Sequence, residues 1–587
     1  MRIITLALCA LAVLHAEDYT LGPDSQPQPG VPKGVVTRYT LTPGKFYPGT
    51  PHNYSVYVPA QYNAAKPAPF MIFLDGVGFA GNGMRVPVVF DNLIAKGDLP
   101  PLIGIFIDPG VLPALSSEAQ NRFNRIFEYD NISGRYAQFL SDELIPEVGK
   151  KYNLSKDPND RGIGGSSTGA VGAFVAAWNR PDQFRRVLSF IGTFVDMKGA
   201  DKFPALIRKT EPKPIRIFMQ DGRQDHIVPN QPWGTFYAGS WPINNQVMYE
   251  AFEFAGYDVK YVLGDEGHNG KHGSAIMPEA LRWLWRDYPK PIVVHEPDAM
   301  NQPGWDPRGK VFSIVSADKP WERIGGEYPS VESPIAGKEG MVYFTSGNRI
   351  YQSDASGKVT VFKDHAEGVS ALAFGPDGRI YASQPGRKRI VSYGAGGDEK
   401  VVARDCEAGR LAANTKGEIY YTDAAHKSIG HIDANGRKSV TYSGGEILQP
   451  SGLAFSPDQA MLIVTDSQAH FSWSFQIAAD GSLINGEPFY RLETPETAWR
   501  SDVGGVTVDA IGQVYFATPL GIQMCEANGR VAAILNPPAL DPVADLIFAG
   551  KNLDWIYITS GGKLYRRPVK QPGIAIWLPV KPPKPPL

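Results

Sequence analysis

A chain of 587 residues is too long for one ordinary hydrophobic core, so two domains are the natural expectation. Its charges nearly cancel, with 58 Lys and Arg against 60 Asp and Glu for a formal net charge of −2. That balance argues against nucleic acid as a partner, because a polyanion needs a basic face. The start, residues 1–16, carries one positive charge at Arg2, an apolar middle and Ala16 before Glu17-Asp18. This is the pattern of a secretory signal, too short to span a bilayer, and no other apolar stretch is long enough for a membrane helix. The expected product is secreted or periplasmic. Bulky Leu8 before Cys9 fits lipid attachment poorly, and cleavage near Ala16 leaves Cys406 and Cys525. Whether those two pair or stay as separate thiols is left open by spacing alone.

Residues 17–290 alternate strand and helix patterns. Residues 54–58 alternate polar with aromatic or aliphatic side chains and predict an antiparallel edge strand. Short apolar runs at 70–74, 102–107, 186–191, 215–219 and 259–263 predict strands covered on both faces. Between them, Tyr136, Leu140, Leu144 and Val148 form a core-facing stripe at helical spacing.

Gly165-Ser166-Ser167-Thr168-Gly169 is a G-x-S-x-G pentapeptide, preceded by a strand-like run at 161–164 and followed by a helix-like run at 170–178. That context predicts the nucleophile elbow of an α/β-hydrolase, in which a sharp strand-to-helix turn presents the serine hydroxyl. The partners follow in the order this fold expects. The 214–219 strand empties into Gln220-Asp221-Gly222-Arg223-Gln224-Asp225, where Asp225 is the chosen acid and Asp221 the alternate. The 258–263 strand leads to His268, the candidate base. A serine hydroxyl needs an imidazole to take its proton, and the imidazole needs a carboxylate to fix its tautomer. Backbone N–H groups must hold the oxyanion, each worth about 3 kcal/mol of barrier. Thr168 is expected to supply one, and Gly76 or Val77, in the loop after the 70–74 strand, another. His272 lies four residues after His268, but no acidic or cysteine ligand motif surrounds the pair, so metal is not expected there. His226 adjoins the acid as a loop residue, and His365, His426, His431 and His470 read as surface or turn histidines.

From about residue 19 to 288 the chain resembles the enterochelin-esterase and esterase-D-like group of α/β-hydrolases, which also holds feruloyl and acetyl-xylan esterases. The likeness rests on Phe73-Leu74-Asp75-Gly76, Glu128-Tyr129-Asp130, Arg135 to Leu140, Gly164 to Ser167, Gln220-Asp221-Gly222, Gly239-Ser240-Trp241-Pro242 and Leu281 to Trp285. It implies a serine carboxylic-ester hydrolase with Ser167, Asp225 and His268 in the three roles and no cofactor. Thr168 departs from the family's usual glycine. The implied substrates are carbohydrate-linked or aryl acyl esters, small-molecule or glycan-borne, with a siderophore trilactone as the alternative.

Residues 291–325, rich in proline, glycine and charge, predict a linker. From 326 to 572 helical stripes vanish. Apolar-aromatic strand centres recur at 342–344, 380–382, 419–421, 462–464, 514–516 and 556–558, the period of propeller blades. The prediction is a six-bladed β-propeller rather than a β-sandwich, so the fold class is α/β plus all-β. Tight-turn chemistry at 375–378, 433–436 and 456–458 agrees. This half resembles the gluconolactonase and regucalcin propellers through Pro450 to Asp458 and Gly505 to Asp509. The resemblance implies a divalent metal held by a Glu, an Asn and an Asp. Only Glu332 persists; Ser451 and Gly504 hold the other two places, with Asp502 nearby. A hard cation needs several oxygen ligands, so a binding or stabilising module is expected in preference to a metal-dependent lactonase or a wholly non-catalytic binding protein. The proline-rich tail, 573–587, is expected to be extended or disordered.

Overall fold

The structure is a computed structural model that describes residues 19–195, 198–226, 239–294, 296, 310–366 and 368–582. The expected signal peptide, linker residues 295 and 297–309, and residues 583–587 lie outside these. The chain divides into two compact units, one built chiefly from residues up to 294 and the other chiefly from residues 295 onward.

The first unit is built on an eight-stranded sheet of β1 (Val35–Leu41), β2 (His52–Val58), β3 (Phe70–Leu74), β4 (Ile103–Ile107), β5 (Arg161–Ser166), β6 (Arg186–Phe190), β7 (Arg216–Gly222) and β8 (Asp258–Gly264). The spatial order is β1-β2-β4-β3-β5-β6-β7-β8. Contacts between β1 and β2 and between β2 and β4 are antiparallel, and every later neighbour pair is parallel. The predicted edge at 54–58 is therefore corrected: β2 is the second strand, and β1 outside it takes the edge. β1 exposes most of its residues, which hid it from a search for apolar runs.

Helices α1 (Gly76–Ala80), α2 (Val86–Lys96), α3 (Arg125–Tyr129), α4 (Thr168–Asn179), α5 (Trp241–Ala255) and α6 (Lys271–Trp285) belong to this unit. The 136–148 stripe is helical as predicted, but as Arg135–Phe139 and Ile145–Gly149 with a π-helical turn, Leu140–Leu144, between them. One face of the sheet buries Phe73, Phe106, Leu188 and Phe218 against Phe90 and Leu93 of α2 and Leu281 and Leu284 of α6. Each such side chain contributes about 1.5–3 kcal/mol relative to exposure, so this layer fixes the strand ends beneath the loops. Because β3 and β5 to β8 run parallel, Ser167, Asp225 and His268 all follow the carboxyl ends of their strands, the usual place for ligands on an open α/β sheet.

The second unit is a six-bladed propeller of four-stranded antiparallel sheets. Its inner strands are Glu332–Ala336, Ala371–Phe374, Leu411–Ala413, Pro450–Phe455, Val506–Val508 and Val543–Ala549. Each touches the next, and the last returns to the first, which closes the ring. The six predicted strand centres all fall in the second strand of a blade. Strand Glu322–Ile324 completes the last blade on its outer edge beside Lys563–Pro568, so the stretch expected to be linker contributes a propeller strand. That contact ties the two ends of the ring together and covers the edge of Lys563–Pro568.

Cys406 and Cys525 are two separate buried thiols. The tail expected to be extended or disordered is packed from 573 to 577: Gly573 donates its N–H to Leu553 O at 2.9 Å, and Trp577 meets Phe374 edge-on at 5.3 Å. Among the described residues no helix is long and apolar enough to cross a membrane.

Candidate active site

Ser167 sits between the end of β5 and the start of α4 with φ 59° and ψ −125°, a conformation that costs a non-glycine residue about 1–3 kcal/mol. The turn is held by the Ser167 N–H donating to Phe190 O at 2.9 Å. Gly165 allows it: a Cβ there would lie 2.1 Å from Gly169 O. Gly165→Ala is therefore expected to open the elbow, at about 1–3 kcal/mol of overpacking, lowering the thermal transition by several degrees and abolishing activity. Calorimetry beside an ester assay checks both.

Ser167 Oγ lies 2.9 Å from His268 Nε2. His268 Nδ1 meets both oxygens of Asp225, at 2.8 and 2.9 Å. Asp225 is fully buried and also accepts the His226 N–H at 2.6 Å, whereas the His268 side chain keeps 20% exposure. These three residues, 58 and 43 positions apart in sequence, form one continuous hydrogen-bonded line. Of the two candidate acids, Asp225 faces the imidazole. Asp221 is buried beside it, with Oδ1 accepting the Gly222 N–H at 2.8 Å and Oδ2 accepting Asn245 Nδ2 at 3.0 Å. Burial, reinforced by the neighbouring Asp225 carboxylate, pushes the Asp221 carboxyl up to about 9. At neutral pH Asp221 is thus a neutral acid, as expected of a buried carboxyl with a second carboxyl beside it.

Several neighbours escaped sequence reasoning. His226 stacks on His268 with ring centres 4.5 Å apart, and burial together with the His268 charge lowers its pKa. Trp241 meets His268 edge-on at 5.5 Å. Thr193 Oγ1 lies 3.1 Å from Ser167 Oγ. Trp241 had a signal as part of the Gly239-Ser240-Trp241-Pro242 stretch, and His226 had one in adjoining Asp225, but Thr193 had none. His272 packs against Tyr19, with its Nδ1 3.1 Å from Gln220 Nε2; His268 precedes α6, so the two histidines do not share a helix face. His431, expected at the surface or in a turn, is buried in a propeller strand against Tyr420.

Thr168 and Gly76 each occupy the first position of a helix, where the N–H has no acceptor one turn back. The Thr168 side chain is buried. Val77 must be removed from the oxyanion candidates: its N–H donates to Asp108 Oδ1 at 2.9 Å. The loop is braced by Asp75, which takes a two-pronged contact from Arg125 at 2.8 and 2.7 Å.

Residues 47–285 match the family model described as "Putative esterase". This half is an esterase-family domain. Residues 332–562 match the SMP-30/Gluconolactonase/LRE-like region, so a gluconolactonase-like domain follows the esterase domain. Among curated relatives, the gluconolactonase of Zymomonas mobilis is 22% identical over 287 residues, 40% of this chain and 79% of that enzyme. The iron(III) enterobactin esterase of Dickeya dadantii is 25% identical over 231 residues, 37% of this chain; the chain spans 47% of its length. The solved gluconolactonase XC5397 of Xanthomonas campestris has a TM-score of 0.39 at 20% identity, covering 44% of this chain and 91% of that one.

Among the described residues, one acidic and histidine cluster has metal-ligand spacing: Asp225, His226 and His268, with ligand atoms within 4.8 Å of one another. Two of the three already bond each other and Ser167, so a metal there would dismantle the line. The propeller's donors do not fit the cation its family implies. Ser451 Oγ is taken up by Thr465 Oγ1 and Val503 O, both at 2.8 Å. At Gly504 a Cβ would lie 2.0 Å from Ala544 O, so the backbone has closed over the place of the missing aspartate. Asp502 accepts from Arg500 and Asp545 from Arg410, so arginines supply the positive charge, and Glu332 is exposed at the start of its strand. EDTA is accordingly expected to leave the thermal transition of the propeller unchanged, which calorimetry with and without chelator tests.

Proposed function

We propose that the esterase domain cleaves small carboxylic esters, aryl or carbohydrate-linked, through an acyl-enzyme on Ser167. The observation that carries this is the line Ser167–His268–Asp225, with His268 Nε2 within proton-transfer distance of Oγ. Oγ attacks the carbonyl carbon as its proton passes to Nε2. The tetrahedral oxyanion is held by the N–H groups of Thr168 and Gly76. Collapse expels the alcohol, which takes the proton from Nε2. Water then attacks the acyl group with His268 again as base, and the acid leaves. Asp225 keeps the Nδ1–H tautomer and stabilises the imidazolium.

The preference for aryl or carbohydrate esters is supported by motifs shared with the group that holds feruloyl and acetyl-xylan esterases. The leader-like start supports action outside the cytoplasm. The match to the enterobactin esterase supports a second reading, a catecholate trilactone as substrate. The propeller is assigned a binding or stabilising role, since its donors lack a metal site. Rates on methyl ferulate, an acetylated xylo-oligosaccharide and a catecholate trilactone, for the wild type and Ser167→Ala, test the proposal. Hydrolysis of none of them, or of any at equal rates in both proteins, would refute it.

A further inference from the structure

The packed tail lines one side of a half-open cavity of about 380 Å³ in the propeller. All six inner strands contribute to its wall, through Ala336, Phe374, Ala413, Phe455, Thr507 and Ile547. Small alanines at this radius leave the space that larger side chains would fill. The segment 573–581 runs along it as a strap. Residue 573 pairs antiparallel with Asp509, and Ala510 donates its N–H to Pro572 O at 2.9 Å. Further along, Trp577 rests on Phe374, and the Lys581 N–H reaches Pro457 O at 3.3 Å. The strap is thus anchored on several blades and contributes its own apolar side chains, Ile574, Ile576 and Trp577, to the lining.

The wall is apolar, but its charge is one-sided. Among the described lining residues Lys581 is the one charged group, and no carboxylate is present. Gln459 adds an amide whose Oε1 is already bound by Thr415, from its N–H at 3.1 Å and its hydroxyl at 2.7 Å, so what it offers a ligand is N–H. A ligand complementary to this lining has an apolar body and one anionic head at the Lys581 end. At about 30 Å³ per water-sized group, the volume holds on the order of a dozen heavy atoms, within the small-molecule range of clefts.

We propose that the propeller cavity under the 573–581 strap is a binding site for a monocarboxylate with an apolar body of medium length. The site is independent of the esterase chemistry and of which ester the first domain cleaves. Lys581 pairs with the carboxylate, and Trp577 covers the body.

The test is calorimetric titration of the full chain with decanoate and with decanol, repeated on Lys581→Met and Trp577→Ala. Lys581 is exposed, so its replacement leaves the fold intact, and circular dichroism with unchanged ester hydrolysis verifies this. The expected result is saturable decanoate binding, weakened about tenfold or more in Lys581→Met, the loss of one charge-assisted hydrogen bond. Decanol binding is unchanged in Lys581→Met, and both ligands weaken in Trp577→Ala. Three results would overturn the proposal: no saturable binding of decanoate, which leaves the strap a plug; equal affinity for decanoate in the wild type and Lys581→Met; or equal loss of both ligands in Lys581→Met.

Discussion

Ser167→Ala is expected to lower kcat on any hydrolysed ester by at least about a thousandfold, with little change in KM, because members of such a triad act as a unit. The substitution removes only Oγ, so the His268–Asp225 contact and the backbone of the elbow stay in place. Alanine also lacks the β-branching that would worsen the positive-φ strain at 167, so thermal stability stays near that of the wild type. In the proposed mechanism the Thr168 and Gly76 N–H groups are untouched by the substitution, so binding is expected to survive while turnover does not. Whatever activity persists reports water attacking without a nucleophile, at rates set by oxyanion stabilisation alone. Steady-state kinetics together with labelling by a fluorophosphonate provides the check. The wild type incorporates one equivalent at Ser167, and the variant none. A variant that still turns over at the wild-type rate would place the chemistry elsewhere in the chain.

Much of this site was legible because local sequence rules coincide with tertiary need. G-x-S-x-G carries its own backbone geometry: Gly165 faces Gly169 O closely enough to forbid a side chain, so the motif and the turn are one fact. Strand runs such as 70–74 and 103–107 are apolar throughout because the parallel sheet buries both faces. β1 escaped because an antiparallel edge needs no apolar run; its seven residues pair with β2 through the backbone while their side chains stay largely in solvent. Thr193 and His226 escaped for a different reason. Their positions depend on where loops after β6 and β7 return, and no local spacing encodes a meeting between loops from separate strands. Val77 was misjudged because its N–H is claimed by Asp108, 31 residues away, an acceptor that loop composition does not reveal. In the propeller, the period fixed the blade count, yet strand Glu322–Ile324 is too short to be recognised without its partner Lys563–Pro568.

Asp221 lies near the end of strand β7 and Asp225 four residues on in the loop after it, and substituting each by asparagine is expected to give different outcomes. Asp225→Asn keeps the volume but places an amide against His268 Nδ1, which favours the tautomer with its proton on Nε2, facing Ser167 Oγ. The base is then unavailable, and kcat falls by about 10⁴-fold. Asp221→Asn replaces a carboxyl that is already neutral and leaves the Asp225–His268 contact in place, so kcat stays within about tenfold. Its signature is in stability. The ordinary aspartate value is about 3.9, whereas Asp221 in the fold is pushed up to about 9. Between these values the folded state binds a proton that the unfolded state has released. The stabilising contribution of Asp221 is therefore complete below about pH 4 and is lost progressively as the pH rises through about 9. Asparagine has no such dependence, so the variant gains on the wild type as pH rises. Thermal unfolding of both proteins at pH 5 and pH 9 measures this. The difference in transition temperature should shift in favour of Asp221→Asn at the higher pH, and parallel curves would mean that Asp221 is ionised beside Asp225 and that the neutral-acid arrangement is wrong.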